Sequence, residues 1–477
     1  MTAPFPDRPD FTGHNAPVRV ECDIFDLVVE GSLPQDIRGT WFRSIPDPRF
    51  PPFLGDDIYL SGDGMVSRLH FAGGRVDLRI RYVRTERWQN EHGAGRSLYG
   101  RYRNPYTDDP SVQGKGRGVA NTTPLYHAGR LIALKEDSRG WELDPRTLET
   151  VGEWDFAGRL RSQTMTPHPK IDPHTGELYF FGYEAAGLAT RDIAYCIADS
   201  RGDLVREQWF EAPYCALMHD FVVTREHAIF PCFPITADLG RLRDRGPHWV
   251  WTPGLGTHIG IMPRSGDVAA MRWFSAPACS AFHFVNAFTE GSRVHVDMSL
   301  TDVPVFPFIR EDSGLAIPQH EVKGALERWT FDLASPLDRV QRRTLAPAGD
   351  LPRIADRNAM SDYDVAYYER YDPAIAPPII TGAVGAGFNA LSRLEVRTGR
   401  MTTLAMDPRT TLQEAVHIPS SRCGSEGYLA FVVDLHDENL SEVQIVDARE
   451  LGREPIARIR IPLRLRSAVH GTWVADR

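Results

Sequence analysis

Apolar and polar residues alternate in short runs along most of this chain, and the runs come in pairs. An alternating run, a short turn with Gly, Asp, Pro or Ser, and a second alternating run is the pattern of a β-hairpin, because successive strand side chains point to opposite faces. It occurs at HFAGGRVDLRIRYV (from His70), ELDPRTLETVGEWDF (from Glu142), IADSRGDLVREQWFE (from Ile197) and IMPRSGDVAAMRWF (from Ile261). It returns at TFDLASPLDRVQRRTL (from Thr330), LEVRTGRMTTLAM (from Leu394) and IVDARELGREPIARI (from Ile445). Long runs at the 3.6-residue period are scarce, so the pattern predicts an all-β chain.

Seven hairpins of one kind, roughly 40 to 75 residues apart, suit a repeat architecture in which each small antiparallel sheet buries its faces against its neighbours. The predicted fold is a seven-bladed β-propeller; a pair of β-sandwiches is the alternative. Irregular spacing places insertions at 86–125, 236–258 and 346–382, expected as loops and short helices that cap the propeller axis. No Ser/Gly-rich linker divides the chain, so residues 1–477 are read as one domain, with the Pro-rich residues 1–17 as an extended arm.

Composition narrows the function. The net charge is −9, with no basic stripe, which argues against nucleic-acid binding. The six cysteines form no C-x-x-C pair and read as reduced thiols of a cytoplasmic protein. The polar N-terminus lacks the apolar region of a secretory signal. No run approaches the roughly 18 apolar residues of a spanning helix, so stable membrane insertion is not expected. Strand edges and insertion loops leave room for a homodimer without requiring one.

Against this background four of the 16 histidines share a setting. His219 in ALMHDFVV, His283 in AFHFVNAF and His470 in SAVHGTWV stand at or just before β-rich apolar runs, and His168 in TMTPHPKI precedes a turn and the strand-like ELYFFGYE. In a propeller the innermost strands of all blades point at one axis, so histidines at the same end of four inner strands converge. His470, close to the C-terminus, fits a last blade that closes beside the first. An all-imidazole set suits iron, copper, zinc or nickel.

The segment RGTWFRSIPDPRFPP followed by LSGDGMVSRLHF resembles the N-terminal signature of the carotenoid cleavage oxygenases, and the four histidine settings match that family in order and rough spacing. The resemblance covers nearly the whole chain. GRYRNPYTDDPSV and LIALKEDSRGWELDP are most similar to its bacterial lignostilbene dioxygenase branch, which cleaves phenolic stilbenes. The resemblance implies a seven-bladed propeller with one non-haem Fe(II) held by His168, His219, His283 and His470 alone. It also implies O₂ as cosubstrate, no organic cofactor, and cleavage of an alkene to two aldehydes. It further implies that Glu136, Asp350 and Glu414 orient His219, His283 and His470. Asp350 stands where the family has glutamate, so either the backbone comes closer or a water intervenes.

The resemblance also bears on substrate. In the stilbene-cleaving branch the lysine and tyrosine that match Lys135 and Tyr102 bind the 4-hydroxyl of the phenolic ring. An ammonium stabilises the phenolate of a phenol whose free pKa is about 10, and the phenolate pushes electron density onto the central alkene. Tyr59, Phe282, Phe306 and Phe308 are candidate walls for a flat stilbene. Tyr59 replaces a phenylalanine common in the branch and would add a hydroxyl contact or narrow the slot. The expected substrate is therefore a small phenolic stilbene. An apocarotenoid is the alternative within the family, and a non-catalytic binding scaffold the alternative outside it.

Overall fold

Strands dominate residues 4–476, which the computed structural model describes, and the α-helices among them are two short ones, Glu86–Ala94 and Leu239–Arg243. All seven expected hairpins are antiparallel pairs, from Gly64–Ala72 with Arg75–Tyr82 to Leu440–Asp447 with Ala457–Ile461, and each lies in a different sheet. These seven sheets have four to six strands; an eighth joins the short strands Ile235–Thr236, Val250–Trp251 and Arg310–Glu311. The all-β architecture with few helices is consistent with a β-propeller fold.

The two ends of the chain are sewn into each other's sheets. The C-terminal strand Gly471–Ala475 pairs with Gly39–Pro46 in the first sheet, and the early strand Val29–Gly31 pairs with Ala457–Ile461 in the last. Each exchanged strand covers backbone donors and acceptors that a bare edge would leave unpaired. One apolar cluster then spans the seam, with Trp41, Leu69 and Ile80 of the first sheet packed in the same core as Tyr428, Val443 and Ile459 of the last. The strand Arg75–Tyr82 alternates buried with less buried residues, whereas Gly39–Pro46 is buried throughout, as expected of a strand covered on both faces.

Of the expected arm, residues 1–3 lie outside the described residues. The rest of 1–17 carries bends and a 3₁₀ turn at Gly13–Asn15, and buries Phe11, His14 and Asn15. The buried Arg466 guanidinium ties it down by donating to the carbonyls of Asn15 (2.8 Å), Asp10 (2.6 Å) and Pro46.

Two of the three expected insertions are present: 86–125 carries Glu86–Ala94 and two 3₁₀ turns, and 236–258 carries Leu239–Arg243. The third differs. Within 346–382 lie Asp350–Arg353 and Val365–Arg370, two strands of one sheet. Asp350–Arg353 contains Pro352 and an irregular register, so it shows no period-two pattern in sequence. An excursion at 303–322, unforeseen in sequence, instead supplies Arg310–Glu311, which pairs in parallel with Val250–Trp251. No helix among the described residues is long and apolar enough to cross a membrane.

Candidate metal centre

Each of four sheets ends, in its strand order, on a strand that contains or closely follows one of the singled-out histidines. His168 precedes Lys170–Ile171, His219 precedes Val222–Val223, His283 lies in Ser280–Glu290, and His470 directly precedes Gly471–Ala475. Register shifts between Ala281 and Phe284, the step that contains His283, and between Phe284 and Asn286 mark a bulged stretch, the local distortion that re-aims a strand side chain. The four side chains converge: one ring nitrogen from each lies within 4.8 Å of the others, and Nε2 of His168 is 2.9 Å from Nε2 of His219.

The remaining three sheets supply the acids. Glu136 follows Arg130–Leu134, Asp350 begins Asp350–Arg353, and Glu414 lies between Thr410–Leu412 and Val416–Ile418. His219 Nδ1 donates to Glu136 Oε1 (3.2 Å), His283 Nδ1 to Asp350 Oδ1 (2.8 Å), and His470 Nδ1 to Glu414 Oε1 (2.7 Å). With Nδ1 carrying the proton, each ring turns the lone pair of Nε2 towards the common centre. Every one of the seven larger sheets thus contributes one residue to the cluster.

Asp350 reaches His283 directly, although its side chain is a methylene shorter than glutamate. Around it, pairing is irregular between Asp350 and Arg353, and Leu351 sits at φ +52°, a conformation that costs an L-residue roughly 1–2 kcal/mol.

Electrostatics favour charged acids beside neutral imidazoles. Burial alone would raise the Glu136 carboxyl, but Lys135 and His219 outweigh it and hold it far below the usual carboxylate range. Glu414 falls to about 2 because Arg353, 3.0 Å away, and His470 likewise overcome burial. Burial, partly offset by Glu414, lowers His470 to about 4, and burial with the three neighbouring rings drives His168 well down. His283 moves the other way, since Asp350 outweighs burial.

The cluster fits a divalent transition metal. Nε2 of His283 and Nε2 of His470 are buried without a hydrogen-bond partner, a state that costs about 1–3 kcal/mol for each group unless something satisfies it. Two nitrogens each about 2.1 Å from one ion and at right angles stand about 3 Å apart, close to the His168–His219 separation. Four neutral nitrogens suit iron, copper, zinc or nickel.

A cavity of about 110 Å³ opens against His219 and His283, and Tyr59, Lys135 and Phe306 line it. The ammonium of Lys135, almost fully buried, is 3.8 Å from Glu136 Oε2 and 5.4 Å from the centroid of the Tyr102 ring. Neither that ammonium nor the Tyr102 hydroxyl makes a hydrogen bond among the described residues. Burial, opposed by Lys135, pushes the Tyr102 hydroxyl up to about 12. Aromatic rings lead from the histidines to Tyr102: His219–Phe282 at 5.6 Å, Phe282–Phe306 at 4.4 Å, Phe306–Phe308 at 5.3 Å and Phe308–Tyr102 at 5.6 Å.

The expected site residues divide by position. Tyr102 and Phe308 line an adjoining opening of about 720 Å³ that shares Gly382 and Ala383 with the cavity, whereas Phe282 packs behind Phe306 in the core. Tyr59 lines the cavity, but its hydroxyl donates to the Ser467 carbonyl at 2.5 Å and its ring lies under the Arg466 guanidinium. That hydroxyl's proton is donated within the protein, while the ring forms part of the cavity wall. Sequence reasoning missed Phe388, Leu412 and Val469 in the wall. The run Gly382-Ala383-Val384-Gly385-Ala386-Gly387 was a usable signal, because small residues permit close approach of a ligand to backbone.

An all-β protein with four convergent histidines, three of them braced by acids, defines a class of metal-dependent enzymes, and comparison with known proteins identifies it. The family model of the retinal pigment epithelial membrane protein, RPE65, matches residues 15–475. The chain belongs to that family, the carotenoid cleavage oxygenases. It is 40% identical over 469 residues to isoeugenol monooxygenase of Pseudomonas nitroreducens, covering 98% of each chain. It is 39% identical over 479 residues to lignostilbene-α,β-dioxygenase isozyme III of Sphingomonas paucimobilis, covering 99% of this chain and 98% of that one. The crystal structure of Pseudomonas brassicacearum lignostilbene dioxygenase superposes with a TM-score of 0.95 at 41% identity, each chain covered in full. The expectation of an enzyme holds, and the scaffold alternative is set aside.

Proposed function

We propose that this protein is an Fe(II)-dependent dioxygenase that cleaves the central double bond of 4-hydroxystilbenes to two aromatic aldehydes. The seven sheets are read as blades of one propeller, with His168, His219, His283 and His470 as the metal ligands on its axis. Relatives named for lignostilbene and isoeugenol support a phenolic alkene as substrate. The six free cysteines suit a reducing compartment, the cytoplasm.

The observation that carries this reading is the Lys135 ammonium, buried at the cavity that reaches His219 and His283. Its carboxylate neighbour Glu136 stands 3.8 Å away without a hydrogen bond to it, so the ammonium's donors are open to a second, anionic partner. A phenolate placed there accepts from Lys135 and from the Tyr102 hydroxyl, and the ammonium lowers the phenol's pKa from its free value of about 10. Deprotonation sends electron density through the ring onto the conjugated alkene, while Phe306 and its neighbours hold the ring flat and exclude water. Bound Fe(II) would activate O₂ for reaction with a closed-shell alkene, and the electrons that reduce O₂ come from the C=C bond. The double bond breaks, and each of its carbons becomes an aldehyde.

A second reading, favoured by the compact cavity and the isoeugenol monooxygenase relatives, is a 4-hydroxyphenyl propene bound at the same lysine. A panel of 4-hydroxystilbene, isoeugenol and an apocarotenal, scored by aldehyde products, tests both. The proposal expects the stilbene to be cleaved with the highest kcat/KM. Preferred cleavage of isoeugenol selects the second reading, and preferred cleavage of the apocarotenal overturns both.

A further inference from the structure

A buried charge cluster stands behind Tyr102 and takes no part in the chemistry above. The Arg103 guanidinium donates to the Tyr183 hydroxyl at 2.8 Å and to Glu184 Oε2. Glu184 Oε1 also accepts from the Ala189 amide at 2.5 Å. His248, whose side chain is fully buried, faces the Arg103 carbonyl through Nδ1 at 2.8 Å and the two Glu184 oxygens through Nε2 at 3.1 and 3.2 Å. Arg103 and Glu184 both adopt left-handed backbone, at φ +53° and φ +50°, a state that persists only where surrounding contacts over-determine it.

The neighbours of Tyr102 serve the same end. Asn104 Nδ2 donates to the carbonyls of Leu242 (3.1 Å) and Gly246 (2.7 Å), and Arg101 reaches Asp56 (2.7 Å) and the Arg245 carbonyl (2.9 Å). Of the four side chains at 101–104, three bind this segment to its surroundings. Tyr102 alone turns towards Lys135 and Phe308. Glu184 also neutralises the guanidinium beside Tyr102, so the cation that faces the cavity is Lys135, to which its own neighbour Glu136 makes no hydrogen bond.

We infer that Arg103, Glu184 and His248 form a positioning latch that holds Tyr102 against Lys135 and thereby sets the preference for a free 4-hydroxyl group. The inference rests on the proposed role of Lys135 and Tyr102. The three latch residues act through Tyr102 and are not placed on the substrate.

The test uses iron-loaded enzyme and two saturated probes that cannot be cleaved, 4-hydroxybibenzyl and 4-methoxybibenzyl, with affinities read by calorimetry. In Glu184→Gln the hydroxy-to-methoxy affinity ratio is expected to fall about tenfold, the worth of one well-placed charge-assisted hydrogen bond, towards the value in Tyr102→Phe. The methoxy affinity and the iron content stay at parent values. Tyr183→Phe removes a single contact of Arg103 and lowers the ratio by about twofold to fivefold; it decides the matter if Glu184→Gln does not fold. An unchanged ratio in these variants, or an equal fall for both probes, overturns the latch. A parent enzyme that does not distinguish the probes overturns the phenolate reading itself, whereas discrimination that survives the variants overturns the latch alone.

Discussion

Asp350 Oδ1 lies 2.8 Å from His283 Nδ1, next to a left-handed Leu351. The contact orients one ring of the quartet, so its loss should weaken metal binding without removing a ligand. Asp350→Ala is expected to lower Fe(II) affinity by about 10- to 100-fold, measured by metal titration of stripped protein. Unchanged affinity would show that His283 needs no carboxylate.

Lys135→Met removes the ammonium and keeps the length of the side chain. The variant should bind iron as the parent does and lose about 10²-fold in kcat/KM on 4-hydroxystilbene, the scale of one electrostatic contact to developing charge. Normal turnover would contradict the phenolate account.

The same residue sets a pH dependence. Burial lowers the Lys135 pKa, but Glu136 and then Tyr102 outweigh it, so the net shift is upward. The ammonium therefore stays charged while the substrate phenol, with a free pKa of about 10, ionises. Steady-state kcat/KM should rise with pH towards the phenol's pKa, and more acidic phenols should show their rise earlier. A fall from about pH 8 to about pH 10 that tracks no substrate pKa would mean that Lys135 loses its proton there.

The seven hairpins were legible because paired edges of alternating residues carry a period-two signal over four to nine residues. The strands Lys170–Ile171 and Val222–Val223, which place His168 and His219, are two residues long and carry no such period. Those histidines could be found by their shared setting, and the acids only through the family resemblance. The excursion at 303–322 and the contacts of Arg103 with Glu184 and His248 were illegible. They depend on residues 81 and 145 positions apart along the chain, and nothing local distinguishes a buried arginine from a solvated one.

Asp434 offers a test of stability away from the metal. Burial pushes its carboxyl up to about 7, opposed by the Gln413 amide at 2.6 Å and by Arg43. The folded state therefore holds a proton that the unfolded chain releases near pH 4, at the free pKa of about 3.9. Its contribution is complete below that value and is lost as pH rises through about 7. Asp434→Asn should flatten the decline in melting temperature between about pH 4 and about pH 7, an effect on the order of 1–3 kcal/mol. Equal slopes for parent and variant would contradict this assignment.

The most direct test of the four-histidine centre is to strip the protein of metal, supply 4-hydroxystilbene in air with and without added Fe(II), and identify the products. The account predicts two aromatic aldehydes per substrate consumed with Fe(II), and none without it. Equal cleavage in the stripped protein, or intact stilbene after iron is restored, would contradict it.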